Sequence, residues 1–121
     1  MDIVITIPKK IEWKDYLKEI EAVRDGSQVM LYKLPFKPKC DLVGSKCFVC
    51  WRGHIVGWMN IVDVIYSDGF TCTTTNTPWP EGWYVARSGE WTYLQPGIPM
   101  KGFQGIRYVK DELKDKIDKL I

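Results

Sequence analysis

No stretch of these 121 residues approaches the length of a membrane-spanning helix, and no internal repeat or low-complexity tract interrupts it. Charge of one sign is nearly balanced: 17 Lys and Arg against 15 Asp and Glu leave a formal net charge of +2, too little to announce a polyanionic partner by itself. Histidine occurs once, at His54, with no clear Asp or Ser partner, so a catalytic triad is not signalled. Asp63, Glu81 and Glu90 are scattered, whereas a metal-dependent nuclease needs clustered carboxylates. The opening residues carry an acid at position 2 and only a short apolar run, which does not read as a secretory leader. In that context Cys40, Cys47, Cys50 and Cys72 are expected to be free thiols in a cytoplasmic protein. No cofactor is expected.

Aromatic residues, by contrast, are abundant: six Trp, six Tyr and four Phe. Such rings fill cores, and they also build stacking platforms. Positive charge is unevenly spread. Lys33, Lys37, Lys39, Lys46 and Arg52 face one acid, Asp41, over residues 33–52, and Lys101, Arg107 and Lys110 meet none over residues 101–110.

The pattern predicts a single domain over 1–121. Ile3 to Ile7 is wholly β-branched and reads as a strand ended by Pro8. Ile11 to Arg24 reads as an amphipathic helix with Trp13, Tyr16, Leu17, Ile20 and Val23 on one face, stopped at Asp25-Gly26. Ser27 to Leu34 is a strand. From Gly44, Cys47, Val49 and Trp51 alternate with Phe48 and Cys50, and Gly53-His54 suits a type II′ turn. The return strand, Ile55 to Tyr66, is apolar on both faces: Ile55, Met59, Ile61 and Ile65 on one, Val56, Trp58, Val62 and Val64 on the other. A strand of that kind is covered on both sides, which suggests a curled sheet or barrel with a helix outside. Ser67-Asp68-Gly69 is a turn, Phe70 to Thr75 a strand, and 77–82 a Pro-rich loop. Trp83 to Arg87 and Glu90 to Leu94 read as a second hairpin about Ser88-Gly89. Residues 95–105 form a loop, Ile106 to Val109 a last strand, and Asp111 to Ile121 a short helix.

Residues 44–64, GSKCFVCWRGHIVGWMNIVDV, resemble a recurring stretch of PUA-like domains, including the ASCH and EVE branches. There a glycine starts a strand, a tight glycine turn follows, and an Ile-Val-Gly return strand leads to an Ile-Val-Asp-Val end. The resemblance implies an α+β chain forming a small mixed β-barrel, with a helix in the N-terminal half and a short C-terminal helix. It also implies RNA or single-stranded nucleic acid as the partner, because members commonly bind RNA or modified bases in a cleft on the barrel. Some ASCH-like members are small hydrolases or nucleases. The Gly-x-Lys signature of that branch, with its following Thr or Arg, is not found in the expected early position of this chain, and the branch stays open.

The residues themselves suggest where a ligand would sit. Trp79, Trp83, Tyr84, Trp91 and Tyr93 fall in or beside expected loops, with Arg87, Lys101, Gln104 and Arg107 close in sequence. Rings stack bases and Arg or Lys neutralises phosphate, so this set reads as an aromatic-basic cleft of a non-enzymatic binding module. Core packing is the competing explanation for each ring. Two other functions fit the composition. One is a hydrolase acting on a nucleoside or nucleotide, with Glu81 or Glu90 as acid/base and Lys101 as electrostatic partner. The other is a protein-interaction domain with exposed Trp. Cys47 and Cys50 have CxxC spacing, but strand positions three apart face opposite sides, so no metal site is expected.

Overall fold

The computed structural model describes residues 1–71, 76–102 and 106–119. Eight strands and two helices follow in the order β1 (Ile3–Thr6), α1 (Trp13–Ala22), β2 (Met30–Lys33), β3 (Lys46–Trp51), β4 (His54–Ser67), β5 (Phe70–Thr71), β6 (Pro78–Trp79), β7 (Gly82–Pro99), β8 (Ile106–Tyr108) and α2 (Asp111–Asp118). Six of the strands form one curled, half-barrel sheet in the order β2-β7-β4-β3-β1-β8. β1 and β3 run parallel, and every other neighbouring pair in this sheet is antiparallel. The fold class is therefore mixed α+β.

Alternation along the strands sorts the interior into two layers. Ile3, Ile5, Cys47, Val49, Met59 and Ile61 pack beneath α1, which contributes Tyr16 and Ile20, with Val23 at its C-terminal cap. Val4, Phe48, Cys50 and Ile55 point to the other face, where Ile117 of α2 covers them with Leu94 and Ile98. The β-branched β1 is buried on both faces because a helix lies on each side of it. The helical face predicted from residue spacing is the one that α1 buries. α1 begins two residues later than its periodicity, because Ile11 is held in a turn by its N–H to Pro8 O at 3.0 Å.

Several sequence expectations need correction. The β3–β4 turn is Arg52-Gly53, with φ of 47° and 86°, and Trp51 pairs His54. Positive φ at both central residues makes it type I′, whose twist matches the flanking strands as well as the expected II′ does. The segment 77–82 is not all loop, since Pro78–Trp79 pairs Phe70–Thr71 in a two-stranded ribbon.

Residues 95–99, expected as part of a loop, instead end β7, with Ile98 opposite Ile55 and Pro99 opposite His54. Ser88-Gly89 is likewise no hairpin turn. β7 runs on as one bent strand beside β4, with Asn60 opposite Ser88 and Trp58 opposite Thr92, so residues 89–91 bulge. The bulge finishes the C-terminal end of α1. Gly89 N–H donates to Val23 O at 3.0 Å, and the Ser88 hydroxyl lies 2.6 Å from Gln28 O and 3.2 Å from Val23 O. A helix end leaves carbonyls without intrahelical donors. Supplying those donors from β7 anchors α1 to the sheet, and a turn-like Ser-Gly pair serves that purpose without reversing the chain.

β4 departs from strict alternation for the same reason. Its pairings slip between Ile55 and Gly57, Trp58 and Asn60, and Ile61 and Asp63. Ile55 and Met59, expected on one face, consequently pack in different layers. Val62, expected to be covered, is 46% exposed.

Candidate functional site

The type I′ turn pairs Trp51 with His54 at one end of the sheet, where the first residue of α1, Trp13, packs against Trp51. Together with Tyr93 and Gln95 of β7 and Arg52 of the turn, they line an open groove of about 370 Å³. That volume is near the lower end of ordinary small-molecule sites, about 300–1,000 Å³. Its walls are aromatic: the Trp13 ring centroid lies 5.5 Å from Trp51, 5.9 Å from Trp91 and 6.4 Å from Tyr93. Trp91 meets Tyr93 edge-on at 5.6 Å.

The rings are fixed from behind. Trp51 Nε1 donates to Ile11 O at 3.4 Å, which ties the Pro8–Ile11 turn and its exposed Lys9 and Lys10 to the rim. The Arg52 guanidinium lies over the Trp51 ring at 4.6 Å and pairs with Glu12 at 3.8 Å. Such an arrangement offers flat apolar faces for a planar ligand, a cation beside them, and hydrogen-bonding groups on His54 and Gln95.

The residues singled out from sequence are distributed over four places. Trp79 stacks on Phe70 at 5.4 Å and leans on Tyr84 at 5.6 Å, far along the β4–β7 ladder from the groove. Trp83 meets Tyr66 edge-on at 5.4 Å, with Lys37 Nζ 5.5 Å from its ring. Tyr84 is fully buried and its hydroxyl donates to Pro80 O. Arg87 is enclosed beneath α1. Of the rings in the set, Trp91 adjoins the aromatic groove and Tyr93 lines it. Lys101 is exposed, and Arg107 lies on β8 opposite Val4. Gln104 lies outside the described residues. The structure thus does not bring these side chains into one cleft. The strands that were read as loop-flanked hairpins carry several of the rings into the core or into the β5–β6 ribbon.

Sequence reasoning passed over Trp13, Trp51, Arg52 and Gln95. Trp13 and Trp51 fit the apolar periodicity of a helix and a strand, which conceals that both stand at the ends of those elements. The available signal was local: Trp51-Arg52-Gly53-His54 puts a ring, a cation and a polar ring on one tight turn.

The two acids weighed for hydrolysis are engaged elsewhere. Glu81 accepts a hydrogen bond from Tyr66, and exposed Glu90 pairs with Arg24 at 3.5 Å. Cys47 and Cys50 are free thiols on opposite faces of the sheet, and Cys40 is free and exposed. No group of three His, Cys, Asp or Glu able to hold a metal occurs among the described residues, and no helix among them is long and apolar enough to cross a membrane.

Arg87 is a buried cation, 3% exposed, whose Nη1 donates to the Tyr16 hydroxyl at 2.6 Å. Its Nε has no partner among the described residues. Burial works against its charge, but Tyr16 and Cys47 beside it raise its pKa. Burial pushes the Tyr16 phenol up, with Arg87 pulling the other way, and pushes the Cys47 thiol up to about 11. Arg87, Tyr16 and Cys47 are all buried, and the cluster reads as internal structure.

No protein-family model matches the sequence, and neither a curated protein nor a solved structure matches it.

Proposed function

We propose that the groove walled by Trp13, Trp51 and Tyr93 binds a planar heteroaromatic group, an unpaired base of RNA or other single-stranded nucleic acid. The observation that carries this reading is the convergence of three rings with Arg52, His54 and Gln95 in about 370 Å³ of open space. A base is flat and carries polar edges. Stacking on aromatic rings contributes about 1–3 kcal/mol per base, and Arg beside the stack supplies cation–π attraction and neutralises phosphate. Lys9 and Lys10, on the turn that Trp51 holds, extend that positive charge along the rim. Among the described residues the lining offers one histidine, one arginine and one glutamine, a set suited to holding a ligand without turnover. The same reading takes the curled sheet as a PUA-like barrel, supported by the central place of the β3–β4 hairpin, and takes the chain as cytoplasmic, supported by its free thiols.

The test is quenching of tryptophan fluorescence by homopolymeric RNA and DNA oligonucleotides at low salt. The expected result is saturable quenching that weakens in Trp51→Ala, with the folded state of the variant checked by circular dichroism. Absence of quenching by every homopolymer at low salt removes the proposal.

A further inference from the structure

The polar side chains lining the aromatic groove are of two kinds. The Arg52 guanidinium is engaged: it lies over Trp51 at 4.6 Å and pairs with Glu12 at 3.8 Å. The Gln95 amide and the His54 imidazole, both exposed, make no side-chain hydrogen bond or ion pair among the described residues. Among those residues no carboxylate and no lysine lines the groove.

A bulge in β7 presents Gln95. Gly57 pairs Tyr93 and Ile55 pairs Ile98, so Leu94 to Gly97 stand against Val56 alone. The excess residues leave the ladder, and Gln95 and Gly97 line the groove. A Cβ on Gly97 would stand 3.0 Å from Ile55 O and 3.3 Å from His54 Cβ. Glycine at 97 therefore leaves bare backbone between the imidazole and the amide, on the open side of the rings.

Resting on the reading of the aromatic groove, we infer that the base it takes is adenine, with the Gln95 amide pairing its N6 amino group and N7. Adenine presents a donor at N6 beside an acceptor at N7, and a glutamine amide meets both at once. The two nitrogens of His54 point apart, so the imidazole meets one such atom and not an adjacent pair. Guanine presents two neighbouring acceptors, O6 and N7, which Arg or Lys reads. Arg52 would have to leave Trp51 and Glu12 to do so. The N4 amino group of cytosine suits a carboxylate, and none lines the groove among the described residues. The single rings of cytosine and uracil also cover less of the aromatic wall than a purine.

The experiment titrates the whole chain with uridine hexamers in which one internal base is replaced by adenine, guanine, hypoxanthine, 7-deazaadenine or cytosine, read by tryptophan quenching at low salt. All carry the same phosphates, so differences report the base. The adenine hexamer is expected to bind about 5- to 100-fold more tightly than the all-uridine one, the range a good bidentate pair contributes. Hypoxanthine, which has an acceptor in place of the amino group, and 7-deazaadenine, which lacks N7, each lose most of that preference. Gln95→Leu brings the adenine hexamer down to the all-uridine level and leaves the all-uridine hexamer unchanged. Gln95→Glu raises cytosine relative to uridine, a change that a merely structural role for residue 95 would not produce. If all hexamers bind the native chain alike, the inference is overturned and the aromatic groove stands. Preference for guanine, undiminished binding of 7-deazaadenine, or an adenine preference that survives in Gln95→Leu likewise overturns it. If no hexamer quenches, the reading of the aromatic groove falls first and this inference with it.

Discussion

Trp91 lies against the backbone of Gly57. A Cβ built on Gly57 would stand 2.3 Å from Cζ2 and 2.7 Å from Cε2 of the indole, and 2.5 Å from the Thr92 carbonyl oxygen. Real Cβ atoms do not approach so closely, so the side chain at 57 must be absent for β7 to cross β4 at this point. Trp91 in turn packs on Trp13 and Tyr93, which makes Gly57 a condition for the aromatic wall.

Gly57→Ala is therefore expected to lower stability by at least about 1–3 kcal/mol, the usual range for forcing a methyl into a packed site. Trp91→Ala in the same chain does not restore it, because the Thr92 carbonyl is backbone and still blocks the methyl. Urea midpoints of the two single variants and the double variant check this. Full recovery in the double variant would show that the ring alone sets the limit.

The Tyr16–Arg87 pair gives a second prediction. Tyr16→Phe takes from a buried guanidinium its hydrogen bond to the Tyr16 hydroxyl, and costs about 1–3 kcal/mol. Arg87→Met removes the buried charge but strands the Tyr16 hydroxyl. The double variant removes both polar groups and is expected to be more stable than Tyr16→Phe alone, since apolar replacement of a buried charged group is often neutral or stabilising. Chemical denaturation of all four forms decides it, and simply additive losses would contradict it.

Much of this architecture was readable from residue spacing, and the parts that were not have a common cause. The α1 face, the inward and outward sets of β3, and the three described free thiols follow from period 3.6, period 2 and composition. The bend of β7 does not, because Ser88-Gly89 is locally identical to a turn. The contacts that hold the bulge, from Gly89 N–H and the Ser88 hydroxyl to Val23 O, join residues over 60 apart in sequence, and no local pattern signals them. The residues expected in one cleft are dispersed for a related reason. Trp79, Tyr84 and Arg87 look loop-associated in sequence, but long-range pairing carries them into the ribbon and the core. Trp13 and Trp51 satisfy the core pattern, and their position at element ends is a matter of tertiary packing.

The cysteines should separate by reactivity. Cys40 is exposed, whereas Cys47 is fully buried with its thiol pushed up to about 11, chiefly by burial. The Cys50 thiol is raised as well, again by burial first. The thiolate is the reactive form. Brief iodoacetamide treatment at neutral pH, mapped by mass spectrometry, is expected to alkylate Cys40 and to spare Cys47 and Cys50 until denaturant is added. Early labelling of Cys47 would mean that the layer under α1 opens readily.

Glu19 links stability to pH. Burial pushes its carboxyl up, with Arg87 pulling it back. A raised carboxyl pKa means the folded state disfavours the ionised form, so this residue's contribution falls as pH rises from the ordinary carboxylate range through the folded value. Glu19→Gln escapes that loss. The stability difference between Glu19→Gln and the native chain should therefore grow in favour of the variant between about pH 4 and about pH 7. Urea midpoints at the two pH values measure it, and a difference that shrinks with pH would reverse the assignment.

Under the proposed function, Arg52 sets stability against binding at one residue. It occupies the first central position of a type I′ turn at φ 47°, a region that side chains other than Asn and Asp rarely adopt. Asn followed by Gly is the sequence this turn favours. The native residue instead holds a guanidinium over Trp51, and its exposed pair with Glu12 contributes at most about 1 kcal/mol. Arg52→Asn is accordingly expected to leave stability unchanged or to raise it by up to about 1 kcal/mol, with the relief of backbone strain offsetting the lost ion pair. The same substitution takes away the cation beside the stacking face, so oligonucleotide quenching should weaken while the fold holds or strengthens. Thermal melts and fluorescence titrations on one preparation test both halves. A variant that melts earlier and binds equally well would show that Arg52 serves the turn and not the groove.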